Sequence, residues 1–270
     1  MNGEIDKDAT MPEQDSEINF IDMYPLINRV RSFVAERQQY ISRSTSPVRI
    51  DELNQKFGFH LHKKNNPELI LARDVAVELG HPATISRAIL LMTDRAGHVV
   101  NGQISLVGPD LQEMDRTVKY PFAQVLMLGV KRHKPINPFY LENTQYLYNR
   151  LPGYMVRSVP GKLWVRVSQK SIQQGMRLST VGSAIIAAYE QDIKAIEKIE
   201  IVFVTQSKED VESLNPIAIE ANILSGRHKK LYLGASGEIE CTDLTCETCD
   251  EKSVCNSLRD VAVKRRGQRK

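Results

Sequence analysis

The hydrophobic pattern along this chain changes period twice. The first seventeen positions are polar and carry Glu4, Asp6, Asp8, Glu13, Asp15 and Glu17, a solvated acidic tail. Then Ile27, Val30, Phe33 and Val34 recur at three- and four-residue steps, with Arg29, Arg31 and Glu36 between them. That spacing predicts an amphipathic helix with Pro25 in its first turn. A serine-rich loop through Pro47, a short helix over 51–57 and a second loop at Lys63–Pro67 are expected next. His60 and His62 share a face of any extended segment. With two lysines beside them and no carboxylate or cysteine near, they read as an exposed polar pair.

From Val75 the period falls to two. Val75, Val77 and Leu79 alternate until Gly80-His-Pro82 breaks the run. Ile85–Met92 is a longer, largely apolar stretch, and Phe122–Val130 reads as a further buried strand. Val99–Val107 suggests two short strands around the Asn101-Gly102 turn. Helical periods return late. A helix over 143–151 is expected, then a capped short helix after Ser168 ending at Gly175. Thr180–Ile193 forms a third. Ser207–Leu214 is opened by a serine cap with Glu209 and Asp210 in its first turn. Residues 217–230 continue helically, and Glu200–Thr205 is a strand. Strands first and helices late predict an α+β, or mixed α/β, fold: a mixed sheet flanked by helices.

One strand carries candidate chemistry. In Lys162–Ser168, Leu163, Val165 and Val167 take the core face, and Lys162, Trp164 and Arg166 take the other. Trp164 is the chain's single tryptophan. An indole between two cations can stack a flat base while the cations hold phosphates, with Arg157 and Arg150 upstream adding charge. The same alternation also fits an indole packed under a neighbouring helix, with the cationic stems around it.

Composition sharpens the picture at the C-terminus. All four cysteines of the 270 residues, Cys241, Cys246, Cys249 and Cys255, fall within fifteen positions. Disulfides suit small secreted domains, and this chain shows no secretory signal. A metal fits better. Zinc sites usually show two C-x2-C pairs a dozen or more residues apart, whereas this spacing is C-x4-C-x2-C-x5-C. A compact run favours a [4Fe–4S] cluster, with zinc the alternative. The net charge of +3 says little about partners. No run of eighteen apolar residues appears, so a soluble, cytoplasmic protein with no membrane role is expected. Residues 259–270 form a basic tail, but no aromatic residue lies between 233 and 270, which argues against nucleic-acid binding by a zinc-stapled module.

Four stretches stand in a telling succession: Val75-Ala-Val-Glu-Leu-Gly80, Asn101-Gly-Gln-Ile-Ser-Leu-Val-Gly-Pro-Asp110, Trp164-Val-Arg-Val-Ser168 and Gly175-Met-Arg177. In that order they make residues 75–212, about half the chain, resemble the middle domain of the acetyl-CoA synthase β-subunit, the partner of carbon monoxide dehydrogenase in anaerobic acetyl-CoA metabolism. The resemblance implies a mixed α/β fold. It also implies coenzyme A near Trp164, with Lys162, Arg166 and Arg157 as the accompanying cations. Cys246 and Cys249 reproduce the first C-x2-C pair of the family's nickel–iron–sulfur cluster. The pattern then departs: Cys255 follows after five residues, Cys241 precedes the pair, and no Cys-Gly-Cys occurs. A cluster on four thiolates is therefore implied, without the family's distal nickel chelate in this chain.

The expected organisation is an acidic tail over 1–17, a helix and linker over 18–74, the middle-domain-like region over 75–235, the four-cysteine motif over 236–258 and a basic tail over 259–270. The expected function is electron transfer, activation or docking in CO/acetyl-CoA or corrinoid one-carbon metabolism of an anaerobe, beside a redox, corrinoid or CO dehydrogenase-type partner. A coenzyme A-binding acyltransferase subunit is the alternative.

Overall fold

Nine consecutive buried residues, Phe122–Val130, form an inner strand of a five-stranded mixed sheet. The computed structural model describes residues 22–37, 39–43, 55, 69–131, 151–159, 161–225, 232–233 and 239–240. The chain divides into two units, Met1–Ser225 and Gly226–Lys270. In the first unit the strands are β1 (Gln39–Arg43), β2 (Val75–Leu79), β3 (Ser86–Thr93), β4 (Gln103–Val107), β5 (Lys119–Tyr120), β6 (Phe122–Val130), β7 (Tyr154–Val159), β8 (Lys162–Ser168) and β9 (Ile196–Val204). The helices are α1 (Tyr24–Ala35), α2 (Gln169–Gln173), α3 (Leu178–Asp192), α4 (Lys208–Ser213) and α5 (Asn215–Leu224). In the second unit, Tyr232–Leu233 (β10) and Ile239–Glu240 (β11) pair antiparallel.

The large sheet runs β1-β4-β9-β6-β3. Its β4–β9 and β6–β3 pairs are parallel, and β6–β9 is antiparallel. Both faces are covered, which is why the strands read as apolar runs rather than alternating ones. Ile89, Leu91, Val125, Met127 and Val202 pack with α1, α4 and α5. Leu90, Met92, Leu126, Leu128 and Ile201 pack with α3 and with Val77, Leu79, Leu163, Val165 and Val167 of the smaller sheet. That second sheet runs β5-β2-β8-β7 and brings β8 against β2 antiparallel. The architecture is the expected α+β one.

Several local expectations change. Val99–Val107 yields one strand, not two. Gly102 has φ 75°, and its N–H donates to the Ile199 carbonyl while Asn101 Oδ1 accepts from the Ile199 N–H. The Asn-Gly pair therefore ties the start of β4 to β9 instead of closing a hairpin. The strand ending at Val204 begins at Ile196, four residues earlier than the apolar run alone suggests. Helix caps follow the sequence: Ser168 Oγ accepts from the Ser171 N–H and Ser207 Oγ from the Asp210 N–H. The helices expected over 51–57 and 143–151 lie almost wholly outside the described residues, as do His60, His62, Arg150 and residues 226–230.

One buried carboxylate clamps α1 to the sheet. Glu200 on β9 is 1% exposed and accepts from Arg31 at 2.6 Å, the Val100 N–H at 3.0 Å and Gln103 at 3.2 Å. Removing the cation leaves a buried charge short of its main partner, which costs far more than losing an exposed pair. Arg31→Met is expected to lower stability by about 2–3 kcal/mol in chemical denaturation. A change indistinguishable from zero would show that the pair is solvent-screened.

Candidate functional site: a cationic cleft beside Trp164

The cleft is built where three connections meet. The first is the link from β2 to β3. Gly80 leaves β2 with φ 62°, a backbone shape that favours glycine, and its N–H donates to the Tyr120 carbonyl. His81 then closes a tight turn: its carbonyl accepts from the Thr84 N–H at 2.7 Å and its Nδ1 from the Ala83 N–H at 3.0 Å. The second is the hairpin between β7 and β8. Val159 pairs with Lys162 at its closing end. The Gly161 carbonyl accepts from the Ala88 N–H at 2.9 Å, anchoring the hairpin tip to β3. The third is the start of α4.

Together these enclose a cleft of about 550 Å³. Trp164, His81, Arg87, Arg157, Lys162 and Lys208 line it, with Glu212 the one carboxylate among the described residues. The charge is therefore strongly positive. Arg157 is the direct cross-strand partner of Trp164, so the guanidinium stem and the indole share a face. Lys162 lies two residues before Trp164 on the same face. Both cations are exposed, and among the described residues neither has an acidic partner. Arg87 donates from Nε to Asn215 Oδ1, and Lys208 lies 3.4 Å from Glu212.

Trp164 itself is half-buried. Its Nε1–H donates to Glu78 Oε1 at 3.1 Å. The Arg166 guanidinium lies 4.7 Å from the ring centroid, and the His81 ring meets the indole edge-on at 5.8 Å. So the indole is neither free in solvent nor sealed beneath a helix.

Three of the four residues expected around coenzyme A, Lys162, Trp164 and Arg157, thus meet at one cleft. Arg166 does not. It turns to Glu78 (3.0 Å) and the Ile70 carbonyl (3.3 Å), and lines a smaller groove with Arg116 and Lys119. The reason is local: Arg166 sits directly across from Glu78 in the β2–β8 register, so the nearest opposite charge captures it. Arg87, His81 and Lys208 were not anticipated. Glu78 had a visible signal, a lone charge inside the apolar run Val75–Leu79.

Cys241, Cys246, Cys249 and Cys255 lie outside the described residues. Among the described residues no cluster of His, Cys, Asp or Glu suits a metal ion, and no helix is long and apolar enough to cross a membrane.

An α+β domain with an aromatic platform in a cationic cleft is the class of structure these elements define. Residues 57–211 match the CO dehydrogenase/acetyl-CoA synthase complex beta subunit family, and the chain belongs to it. The acetyl-CoA decarbonylase/synthase complex subunit beta of Archaeoglobus fulgidus is 28% identical over 166 residues, covering 61% of this chain and 32% of the relative. That of Methanothermobacter thermautotrophicus is 27% identical over 139 residues, covering 51% and 30%. Subunit beta 1 of Methanosarcina thermophila is 25% identical over 166 residues, covering 61% and 35%. The chain thus spans about a third of the length of these relatives.

Proposed function

We propose that this chain is a coenzyme A-binding, iron–sulfur component of a CO/acetyl-CoA or corrinoid one-carbon system, serving electron transfer, activation or docking beside a CO dehydrogenase-type or corrinoid partner. The observation that carries the reading is the cleft: one indole face beside Arg157 and Lys162, which have no acidic partner among the described residues, with Arg87 and Lys208 near. Coenzyme A presents a flat adenine and several phosphates. Adenine stacks on Trp164, and the phosphates take charge-assisted hydrogen bonds from the cations. A volume of about 550 Å³ holds a nucleotide-sized part of the ligand. That the relatives are beta subunits of acetyl-CoA decarbonylase/synthase complexes supports the same ligand and an assembly partner.

Cys241, Cys246, Cys249 and Cys255 fit a [4Fe–4S] cluster by donor chemistry, since they supply four soft thiolates in fifteen residues. Bound there, the cluster supplies one-electron chemistry. In the cleft this chain's own residues bind and orient: Trp164 holds the base, and Arg157 and Lys162 hold phosphate and set the direction of the pantetheine arm.

Calorimetric titration of the full chain with coenzyme A tests the cleft. The Arg157→Ala/Lys162→Ala pair is expected to weaken binding at least about tenfold, since a hydrogen bond to a charged group contributes about 1.5–3 kcal/mol. The loss should shrink as salt rises. Equal binding by the double variant, or no binding by the unmodified chain, defeats the assignment.

A further inference from the structure

We infer that Glu78 is a positioning residue that locks the Trp164 indole as a one-faced stacking platform. The inference rests on the proposed nucleotide reading of the cleft, which it deepens. Glu78 lies on β2, directly across from Arg166 on β8 and on the same face as Trp164. One oxygen, Oε1, accepts both the Trp164 Nε1–H at 3.1 Å and the Arg166 Nε–H at 3.0 Å. The carboxylate side chain is 14% exposed and that of Arg166 22% exposed, so both bonds act where water competes weakly.

Two consequences follow. The indole cannot rotate about its χ2 bond without losing its only hydrogen-bond donation. Arg166, held by Glu78 and by the Ile70 carbonyl at 3.3 Å, keeps its guanidinium over the ring at 4.7 Å. A cation covering one face leaves one face for a flat ligand. Because Arg166 lines the neighbouring groove while Trp164 lines the cleft, the open face belongs to the cleft. Glu78 also neutralises Arg166, so phosphate falls to Arg157, Lys162, Arg87 and Lys208. The platform is thereby suited to an adenine whose phosphates extend toward the hairpin tip, and it is ordered before the ligand arrives.

Trp164 is the single tryptophan, so its emission and its indole N–H resonance report this site alone. Three measurements on the full chain test the inference. In the unmodified protein the indole N–H resonance should resist solvent exchange; fast exchange overturns the inference without any variant. In Glu78→Ala, acrylamide quenching of Trp164 should rise toward that of the unfolded chain, and coenzyme A affinity should fall about tenfold. In Glu78→Gln, whose amide oxygen still accepts from Nε1–H, quenching should stay near the unmodified value. A folded Glu78→Ala protein with unchanged quenching refutes the positioning role even if coenzyme A binds. Quenching that responds as expected, in a protein that binds no coenzyme A, upholds Glu78 and defeats the ligand reading instead.

Discussion

Gly80→Ala is expected to lose roughly 3–5 kcal/mol of stability and to disorganise the cleft. The position offends an added methyl in two ways. Its φ of 62° lies in the left-handed region, which alone costs a side-chain-bearing residue about 1 kcal/mol. A Cβ there would also stand 2.3 Å from the Leu163 carbonyl oxygen and 2.8 Å from Ser86 Cβ. Neither neighbour is a flexible tip. The Leu163 carbonyl belongs to β8, one residue before Trp164, and Ser86 opens β3. Relief must therefore move β8 or the β2–β3 link, both of which wall the cleft. Thermal unfolding should shift down by roughly 10 °C for a unit of this size. Trp164 emission should change in the same protein before unfolding. Gly161→Ala is the control: φ is also positive at 75°, but nothing lies within 4 Å of the added carbon. It should cost only about 1 kcal/mol. Equal losses at the two positions would show that backbone conformation, not close approach, governs Gly80.

Cys249→Ala is expected to abolish the proposed cluster. Protein purified without oxygen should contain about four irons and four sulfides per chain and give a reduced-state paramagnetic resonance signal, both lost in the variant. Cys246 and Cys249 form the one C-x2-C pair, so losing either would remove half of the proposed chelating pair. Stoichiometric zinc without iron would defeat the redox reading and make the motif a structural staple. The cleft proposed for coenzyme A is lined, among the described residues, by side chains of the first unit. Its ligand affinity should therefore survive Cys249→Ala, which separates the two halves of the proposed function.

Much of this protein is legible in its sequence. Apolar runs marked β3 and β6 within a residue, because both faces of the large sheet are buried and a continuous run needs no phase. Alternation in Lys162–Ser168 placed Leu163, Val165 and Val167 inward and Trp164 outward, since a strand has only two faces. Serine caps located the starts of α2 and α4. The misread Asn101-Gly102 turn shows the limit of local rules. The dipeptide bends the chain as expected, but its hydrogen bonds go to Ile199, almost a hundred residues away.

The sequence by itself determined the fold class, the faces of the strands and the clustering of the four cysteines, all of which depend on neighbours within a few residues. Tertiary structure decided which cations serve the cleft. Glu78 and Arg166 are 88 positions apart, and only the β2–β8 register sets them opposite each other and draws Arg166 away. Arg87 and Lys208 come from elements that share no local pattern with β8. Electrostatic pairing acts over a few ångströms in space, and distance along the chain does not measure it.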